Sequence, residues 1–296
     1  MKLRELGEAR LLAKLLPRGR LKLGVILGLG DDCAIVESPR RGKVVLLKTD
    51  CVVEGVHFTK TARPANVGWK AMARPLSDFA AMSGVPRFAL ITIILSPEVS
   101  VAWTASLYRG LRKAADLFDV AIVGGETSRT SGPATIVVAV AGEVEPRRRV
   151  LRSGGKVGDQ LFVTGKLGGS LHGRHLRFQP RIAESRWLTE RFRIHAMMDL
   201  SDGLNADLPR LASASGVGFE LNAKALPRNR GCSIKQAMSD GEDYELLFAI
   251  DPRDADKLQR LWRERWKLKL TRIGVLTSDQ KRRPKVDSGY DHFKQR

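Results

Sequence analysis

Cysteine is scarce in this chain, which has three such residues, Cys33, Cys51 and Cys232, among 296. No two of them form a C-x-x-C pair, and this spacing argues against a structural zinc site or a disulfide framework. The most apolar run, 88–95, is far shorter than the roughly 20 residues that a membrane-spanning helix needs. Residues 1–20 alternate charges with Leu and Ala and lack the uninterrupted apolar core of a signal peptide. We therefore expect a soluble protein of the reducing cytoplasm, without a membrane segment.

Acidic residues are in the minority: 32 Asp and Glu stand against 51 Lys and Arg, for a formal net charge of +19. Such a charge often indicates a nucleic-acid ligand, but the basic residues are spread over both halves, with local clusters at 147–149 and 281–283. No aromatic-interleaved RNA motif or zinc-finger spacing accompanies them. We expect a basic surface that attracts anionic substrates and no specific nucleic acid. A non-catalytic, nucleic-acid-associated protein is the alternative that the charge keeps open.

The common nucleotide-binding and hydrolase motifs are also absent. The chain has no G-x-x-x-x-G-K-[ST] phosphate loop, no G-x-G-x-x-G dinucleotide turn, no H-E-x-x-H helix and no G-x-S-x-G nucleophile elbow. An enzyme of this sequence that uses a nucleotide would have to bind it by another arrangement of residues.

The apolar patterns alternate between strand and helix periods, which is typical of an α/β chain. The length suits two domains, and segment 145–158, rich in Arg, Ser and Gly, is the predicted linker. We place the boundary near Arg149, which gives domains 1–149 and 150–296. The predicted strands are 25–27, 44–48, 88–95, 120–123, 135–144, 160–164, 196–199, 218–221, 244–250 and 268–275, and the predicted helices are 3–16, 64–83, 101–118 with Ser100 as its cap, 202–215 and 252–266.

Six short acidic segments stand out in this basic chain, and several of them follow predicted strands. Their carboxylates are far apart in sequence, but strand ends can bring them together at one place in the fold. Carboxylates are hard oxygen ligands of the kind that Mg²⁺ prefers, together with water and substrate phosphates. The sequence therefore predicts a divalent-metal site that binds a phosphate compound. The segments are Asp31-Asp32, Thr49-Asp50, Ser77-Asp78, Gly124-Gly125-Glu126, Asp199-Leu200-Ser201-Asp202 and Gly241-Glu242-Asp243.

Each segment also has a purely structural interpretation, since Gly, Ser and Asp are common in turns and helix caps. Asp199 and Asp202 are three residues apart, so they would share a face if that segment were helical. In the predicted strand 244–250, the period of two would expose Glu245. His57 can be a plain surface or core histidine. The joint occurrence of the segments, rather than any single one, points to metal and phosphate chemistry.

Taken in order, these segments resemble the thiamine-monophosphate kinases, within the superfamily of aminoimidazole ribonucleotide synthetase, selenophosphate synthetase and the hydrogenase maturation factor HypE. The resemblance runs from near the N-terminus to the last residues, and VEGVHF, DLSDGL and GEDYELLF are specific to the kinase. The matching stretches are GLGDDCAIV (28–36), KTDCVVEGVHF (48–58), GWKAMARPLSDFAAMSGVP (68–86), VGGETSRT (123–130), LRSGGKVGD (151–159), MDLSDGLNADL (198–208), DGEDYELLF (240–248) and GYDHF (289–293).

The resemblance implies an N-terminal domain with a small sheet that dimerises and a C-terminal domain with a mixed sheet flanked by helices, with ATP between them. It implies that a homodimer uses ATP and several Mg²⁺ ions to phosphorylate thiamine monophosphate to thiamine diphosphate. Carried over motif by motif, the implied Mg²⁺ ligands are Asp32, Thr49, Asp50, Asp78, Glu126, Asp199 and Asp202. The implied ATP contacts are Gly125, Glu126, Arg152 and Ser201, and the implied substrate contacts are His57, Glu242 and Tyr290.

In such a kinase the acceptor is a phosphate oxygen that is already anionic near neutral pH. No general base is then required, and Asp50, Asp78 and Arg152 are expected to act through electrostatics and positioning.

Three substitutions and one short segment depart from the family pattern. Glu126 stands where the family usually has Asp, Lys48 where it usually has a small hydroxyl residue, and Pro75 where it usually has Asn. A cation at position 48 could displace a metal. Segment 173–194 is short for the family, which affects the substrate-side loop. A superfamily relative that uses ATP on another phosphate or acyl substrate therefore stays open as an alternative.

Overall fold

The computed structural model describes residues 2–6, 8–15, 21–28 and 30–279. It contains two β-sheets, one from each half of the chain, with helices packed against both. The predicted α/β architecture of two sheet-and-helix units is confirmed. Within this part of the chain, no helix combines the length and the apolar character needed to cross a membrane. The division at Arg149 stays a prediction.

Six strands form the first sheet, and their order in it differs from their order in the chain. In chain order they are β1 (Val25–Leu27), β2 (Ala34–Glu37), β3 (Val44–Val53), β4 (Val85–Leu95), β5 (Ala121–Arg129) and β6 (Thr135–Val144). In the sheet they follow the order β1-β2-β3-β6-β4-β5. Neighbouring strands pair antiparallel except β4 and β5, which are parallel.

Two long helices, α3 (Pro64–Ala81) and α4 (Val101–Leu117), pack against the first sheet, and two short ones, α1 (Leu3–Leu6) and α2 (Glu8–Leu15), precede it. As predicted, Ser100 caps α4: its side chain accepts a hydrogen bond from the Trp103 N–H at 3.2 Å.

The two faces of the first sheet differ. The inner face packs against α3 and α4 and is buried and apolar, for example at Ile91 and Val138. The alternate residues of the same strands form the outer face, where the large apolar side chains of Leu47, Phe88 and Leu90 are exposed. The outer face is thus an apolar surface that the described residues of this chain leave uncovered.

The second sheet is formed by β7 (Gln160–Thr164), β8 (Ile194–Asp199), β9 (Gly218–Leu221), β10 (Leu246–Ile250) and β11 (Leu270–Thr277). Its order is β8-β10-β7-β11-β9, and every neighbouring pair is antiparallel. The expected mixed pairing of this sheet is therefore wrong; the first sheet is the mixed one, through β4 and β5. The direction of each strand depends on the connections between strands. The short sequence motifs do not predict these connections.

Helices cover both faces of the second sheet. One face packs against α6 (Leu204–Ala214) and α7 (Ile234–Ser239), and the other against α5 (Ile182–Arg191) and α8 (Pro252–Arg265). Because both faces are covered, β10 is buried along its whole length and its sequence is a continuous apolar run.

Helix α3 lies between the two units. It contacts α5 and β8 as well as the first sheet, and it carries Lys70, Ser77 and Asp78 at buried positions. Its Trp69 Nε1 donates to the Phe178 carbonyl at 2.6 Å across the boundary. A buried polar group costs free energy unless it is hydrogen-bonded or paired with an opposite charge. The polar residues of α3 therefore need partners at the boundary between the units.

Two of the acidic segments lie inside strands rather than at strand ends. Strand β3 continues to Val53 and β5 to Arg129, so Thr49-Asp50 and Gly124-Gly125-Glu126 are part of the sheet. The prediction that these segments follow strands is wrong. Pairing with β6 and β4 continues through both segments, and this tertiary context outweighs the low strand propensity of Gly and Asp.

Candidate active site

Three carboxylates from distant parts of the chain come together at the boundary between the units. Asp32 lies in the turn between β1 and β2, Asp78 lies on α3, and Asp199 is the last residue of β8. One oxygen atom of each lies within 4.8 Å of one oxygen of the others, and all three residues are buried. We call this group the carboxylate cluster. It confirms that carboxylates distant in sequence converge, as the acidic segments predict.

Neighbouring side chains hold the cluster in place. The Ser77 hydroxyl donates to Asp199 Oδ2 at 2.6 Å. Arg152 Nη2 and Nε donate to Asp32 Oδ1 at 2.6 and 3.2 Å, and the Arg152 backbone N–H donates to Asp31 Oδ2 at 3.1 Å. Asp32 Oδ2, in contrast, is buried and has no hydrogen-bond partner among the described residues. A buried carboxylate oxygen without a partner is a ready ligand for a cation.

Burial and mutual repulsion disfavour the charged form of these acids. Burial, with the charge of Asp32, raises the pKa of Asp199 to about 6. Burial also raises the pKa of Asp78 well above its usual range, although Lys48 opposes that shift. The pKa of Asp31 rises to about 6 because of its burial and the neighbouring Asp32. The site thus concentrates negative charge that a divalent cation would relieve, and its hard oxygen donors fit Mg²⁺.

If Mg²⁺ binds the carboxylate cluster, as its oxygen donors predict, it should stabilise the protein against heat, because the unfolded chain does not assemble this site. At about 100 times its dissociation constant, a ligand adds ~2.7 kcal/mol of stability. The midpoint of thermal unfolding should therefore rise with MgCl₂ and return to its starting value with EDTA. Asp199→Asn should gain less from Mg²⁺, whereas Asp256→Asn, at a side chain that is 92 % exposed, should match the parent. Equal gains for the Asp199 variant and the parent would argue against a metal at this cluster.

Asp50 lies next to the cluster, between two cations. Its carboxylate is 3.9 Å from Lys48 Nζ and 3.9 Å from Arg74 Nη2. Lys48 Nζ also donates to Asp78 Oδ1 at 2.9 Å. Burial alone would lower the pKa of Lys48, but the Asp78 and Asp50 carboxylates outweigh burial and raise that pKa above its usual value. The Lys48 ammonium is therefore a fixed positive charge between two of the predicted metal ligands.

A second group, which we call the Glu242 pocket, consists of the side chains of Glu242, Lys70 and Tyr244 and the backbone carbonyl of His57. Lys70 Nζ donates to Glu242 Oε2 and, at 2.8 Å, to the His57 carbonyl. The Tyr244 hydroxyl donates to Glu242 Oε1 at 3.4 Å. The ring of Tyr244 stacks on Phe178 with 3.8 Å between the ring centroids. Lys70 thus bridges the backbone of His57 and the side chain of Glu242, two predicted substrate residues from the two halves of the chain.

Arg74 connects the Glu242 pocket to the carboxylate cluster. Burial would lower the pKa of Arg74, but the nearby Tyr244, Asp50 and Glu242 outweigh burial and raise it. Its Nη1 donates to the Cys51 carbonyl at 2.5 Å, which fixes the guanidinium against β3. Arg74 also lies on α3 between Lys70 of the pocket and Asp78 of the cluster, at intervals of four residues, so the two groups adjoin and carry both signs of charge.

The backbone around Glu242 adopts an uncommon conformation. Glu242 and Tyr244 have φ angles of 53° and 52°, in the left-handed region that costs non-glycine residues about 1–3 kcal/mol each. The Glu242 N–H donates to the Ser201 carbonyl at 2.6 Å, and the Tyr244 N–H donates to the Leu200 carbonyl at 2.8 Å. These bonds hold Glu242 where it meets Lys70. Backbone strain of this kind is concentrated at sites where a side chain must be positioned for function.

Lys70 is a site residue that the sequence patterns do not predict. Its side chain is 0 % exposed, which is rare for a lysine unless it is paired. Burial lowers its pKa to about 8, even though the charge of Glu242 favours the cation. A lysine in an amphipathic helix normally extends its stem along the surface and reaches water, so the sequence gives no sign of this burial.

Thr49 and Glu126, two of the predicted metal ligands, lie on the outer face of the first sheet. Side chains alternate along β3, so Thr49 and Asp50 point to opposite faces. The strand register aligns Glu126 with Cys51, which is three strands away across β4 and β6. At about 4.8 Å per strand this is roughly 14 Å. Within one chain, the structure therefore does not bring Glu126 to the carboxylate cluster.

Ser201 and Asp202 lie between β8 and α6. Asp199 pairs within the sheet, as predicted for strand 196–199, so the segment is not helical and Asp199 and Asp202 do not share a helix face. The Asp202 carboxylate accepts a hydrogen bond from Arg210, and its N–H donates to Asp207 Oδ2 at 3.0 Å. Asp202 is thus near the cluster in sequence but bound to Arg210 in the structure.

Of the remaining predicted site residues, Gly125 and His57 each have a structural role, and Tyr290 is not described. Gly125 has φ 154°, and a Cβ there would lie 1.7 Å from the Ile91 carbonyl oxygen, so the close approach of β5 to β4 requires glycine. His57 Nδ1 accepts a hydrogen bond from the Val53 N–H at 3.1 Å, which orients the imidazole ring. Tyr290 lies outside the described residues.

Glu245 is buried, at 2 % exposure of its side chain, and the expectation that it is exposed is wrong. Strand β10 begins at Leu246, so the alternation of a strand does not govern position 245. The Glu245 carboxylate accepts hydrogen bonds from Arg181 Nε and Nη2 at 2.7 and 2.6 Å and from the Thr164 hydroxyl at 2.8 Å. This ion pair holds the segment that carries Glu242 against α5.

Comparisons with known proteins cover almost the whole chain. Residues 30–144 match the family AIR synthase related protein, N-terminal domain, and residues 152–287 match its C-terminal domain. The chain is 37% identical to the thiamine-monophosphate kinase of Rhodopirellula baltica, over 90% of this chain and 88% of that protein. It is 35% identical to that of Aquifex aeolicus, over 99% of this chain and 100% of that protein.

A solved structure gives the same result at the level of the fold. AaThiL complexed with AMPPCP and TMP matches this structure with a TM-score of 0.82 and 33% sequence identity, over 99% of both chains. Sequence identity and structural similarity to these kinases thus extend over nearly the full length of the chain. They include the motifs that form the carboxylate cluster and the Glu242 pocket. The chain belongs to the thiamine-monophosphate kinase family.

Proposed function

We propose that this kinase transfers the terminal phosphoryl group of ATP to thiamine monophosphate, and that the carboxylate cluster and the Glu242 pocket are two halves of one active site. The observation that carries this proposal is that one face of α3 carries Lys70 of the pocket, Arg74 and Asp78 of the cluster at intervals of four residues, so the two groups adjoin at the boundary between the units. The cluster is the nucleotide side, since its oxygens suit a metal that accompanies phosphates. The Glu242 pocket is the thiamine side.

The reaction needs no general base, because the attacking oxygen of thiamine monophosphate is already anionic near neutral pH. The main barrier is the repulsion between two polyanions. Arg152, Lys48 and Arg74 supply fixed positive charge, and each is held by a carboxylate within 3.9 Å. Charges that are fixed before the reaction need no reorganisation during it, which is the usual source of electrostatic catalysis.

The residues that would hold Mg²⁺ are Asp32, Asp78 and Asp199 of the cluster, with Asp50 beside them. Asp32 Oδ2, which is buried and has no hydrogen-bond partner within the described part of the chain, supports this assignment. When bound, Mg²⁺ neutralises phosphate charge and orients the reacting groups. The protein's part is to keep the carboxylates in place, as the Ser77 hydroxyl does for Asp199.

The Glu242 pocket suits the thiamine part of the acceptor. Thiamine carries a cationic thiazolium ring and an aminopyrimidine, and an anionic Glu242 would attract the first and accept a hydrogen bond from the second. Lys70 and Tyr244 fix the Glu242 carboxylate through its two oxygens. The stacked rings of Tyr244 and Phe178 form an aromatic wall behind it. Lys70 is therefore a positioning residue for acceptor binding.

Lys70→Met should raise the KM for thiamine monophosphate about tenfold or more and leave the KM for ATP close to that of the parent. A hydrogen bond to a charged group contributes about 1.5–3 kcal/mol, and about 1.4 kcal/mol corresponds to a factor of ten. Steady-state kinetics with each substrate varied in turn would measure the two effects. Lys70→Arg should restore part of the affinity, and Lys60→Met, at a side chain that is 90 % exposed, serves as the control. Equal changes in both KM values would contradict a role on the acceptor side.

The kinase is proposed to act as a homodimer that packs through the outer face of the first sheet. Exposed Leu47, Phe88 and Leu90 form an apolar surface of the kind that marks interfaces. Strand β5 is an exposed edge, and β2 covers only Val44–Leu47 of β3, which leaves a second open edge along the described part of that strand. Open edges favour pairing with another chain. Pairing of β5 with β3 across the dimer would bring Glu126 of one copy to Thr49 and Asp50 of the other.

The reducing cytoplasm is the proposed location. The described cysteines Cys33, Cys51 and Cys232 are all free thiols, which is the usual state in that compartment.

Nucleic acid should bind weakly and without sequence preference, although the net charge is +19. Binding that depends only on charge should fall steeply with salt and should not respond to base sequence. Fluorescence anisotropy with two unrelated duplexes at several salt concentrations would measure this. Sub-micromolar, sequence-dependent binding at physiological salt would instead favour a nucleic-acid-associated protein.

The activity itself is tested by incubating the purified protein with thiamine monophosphate, ATP and Mg²⁺ and identifying the product by chromatography and mass spectrometry. We expect thiamine diphosphate and ADP in equal amounts, and no turnover after EDTA is added. A folded protein that makes no thiamine diphosphate at saturating substrates would overturn the proposal. Phosphorylation of another phosphate compound in its place would favour the superfamily alternative.

A further inference from the structure

We propose that Lys48 is a built-in cation of this active site, whose ammonium occupies the place of one divalent ion between Asp50 and Asp78. The inference rests on the proposed function in one respect: Asp50 and Asp78 are taken to be metal ligands of the kinase. It assigns to this chain a cation site that is filled by its own side chain.

The geometry places the ammonium between the two carboxylates. Lys48 Nζ lies 2.9 Å from Asp78 Oδ1 and 3.9 Å from Asp50 Oδ2. Lys48 belongs to β3 and Asp78 to α3, so the contact joins the sheet to the helix that packs on its inner face. Alternation along β3 directs Leu46, Lys48 and Asp50 to this same face, so the ammonium cannot turn to the outer face without a change of strand register.

The Lys48 ammonium and a divalent ion exclude each other at this place. Mg²⁺ binds carboxylate oxygen at about 2.0–2.1 Å, so an ion on Asp78 Oδ1 would share that oxygen with an ammonium hydrogen bond. Two positive charges would then lie a few ångströms apart in a partly buried site, where like charges repel strongly. Asp50 already has a second cation beside it, Arg74, at 3.9 Å. Lys48 and Arg74 thus compensate the negative charge of Asp50 without a metal ion.

Within the described part of the chain, the Asp32 and Asp199 carboxylates form no ion pair with Lys48 and can still bind a metal ion. Asp32 Oδ2 has no hydrogen-bond partner among the described residues, and it lies in the cluster with Asp199. We therefore infer that the protein binds metal at the cluster but binds one ion fewer than it would with a neutral residue at position 48.

The test is a count of bound divalent ions, which does not depend on turnover. Mn²⁺, a probe for Mg²⁺ sites, is titrated into the full-length protein with a non-hydrolysable ATP analogue, and free Mn²⁺ is measured by electron paramagnetic resonance. Lys48→Met should bind one Mn²⁺ more per chain than the parent, and Lys48→Arg should bind the same number as the parent. Lys224→Met, at an exposed lysine of the second unit, is the control and should also match the parent. An unchanged count in Lys48→Met would overturn the proposal.

A second measurement uses the parent protein alone and so does not depend on the folding of a variant. In crystals grown with Mn²⁺ and the ATP analogue, anomalous scattering should show no ion between Asp50 and Asp78, with Lys48 Nζ within hydrogen-bond distance of Asp78. An anomalous peak between these two carboxylates would overturn the proposal. Both measurements stand apart from the kinase assay: an inactive parent would contradict the proposed function, whereas the ion count decides the role of Lys48.

Discussion

Asp50→Asn and Asp78→Asn should each lower kcat by at least ~10²-fold, the usual loss when one electrostatic contact at the reacting centre is removed. Asn has nearly the shape of Asp but no charge, so at position 78 it weakens the hold of the carboxylate cluster on Mg²⁺, and at position 50 it removes the anion that positions Lys48 and Arg74. Asp78→Asn also removes the ion pair with Lys48, and Asp50→Asn also removes the negative charge beside Arg74. Steady-state kinetics at saturating ATP and thiamine monophosphate would measure kcat.

Both variants should still fold. Burial raises the pKa of Asp78 well above its usual range, so this carboxylate is held at a cost in stability that Asn removes. Thermal unfolding without Mg²⁺ would check this. Asp256→Asn, on the exposed surface of α8, should keep the parent's kcat and unfolding midpoint. Near-normal turnover in either Asp50→Asn or Asp78→Asn would remove that residue from the active site.

The three acids of the carboxylate cluster, which are proposed metal ligands, are the part of the site that the sequence predicts best. Each of Asp32, Asp78 and Asp199 lies in a short polar segment beside an apolar one, and this contrast is visible without any knowledge of the fold. For Asp32 and Asp199, convergence also follows from their places at the ends of elements, because acids at such junctions tend to meet at one boundary. Asp78, in contrast, lies inside α3 and meets them through the packing of that helix. The structure adds the neighbours, such as Ser77 on Asp199 and Arg152 on Asp32.

The sequence does not predict Lys70 and the conformation of Glu242, because both depend on contacts between distant segments. Lys70 meets Glu242 across 172 positions of the chain. On α3 it occupies a position that looks like the polar side of a helix, but it is buried, between the His57 carbonyl of the first unit and Glu242 of the second. Likewise, the left-handed backbone of Glu242 depends on its hydrogen bond to the Ser201 carbonyl, which local propensity does not encode.

Strand register is the other feature of the site that the sequence patterns do not predict. Thr49 and Asp50 are adjacent in sequence and look like a single polar segment, yet β3 directs them to opposite faces. Glu126 looks equivalent to the other acids, but the register places it roughly 14 Å from Cys51 at about 4.8 Å per strand. Motif and register therefore lead to different expectations for Glu126, and the proposed dimer would reconcile them.

Glu126→Ala should lower kcat sharply, by about 10²-fold as for other electrostatic contacts at a reacting centre, while Glu126→Asp should be partly tolerated. Glu and Asp carry the same charge and differ by one methylene, so the shorter side chain can still approach a metal, directly or through water. In the proposed dimer, β5 of one copy pairs with β3 of the other, and Glu126 then serves the active site of its partner. Steady-state kinetics of the two variants measure the first expectation.

A mixed dimer tests whether Glu126 acts across the interface. When Asp50→Asn and Glu126→Ala chains with different affinity tags are co-expressed and the heterodimer is purified, one of its two sites combines a native Asp50 with a native Glu126 from the other chain. That heterodimer should recover about half of the parent's kcat per dimer, if the two sites work independently. If Glu126 acted within its own chain, both sites of the heterodimer would lack one residue and the activity would stay at the level of the single variants. An Ala variant as active as the parent would instead show that Glu126 has no part in the reaction, and the exposed edge of β5 would then need another explanation.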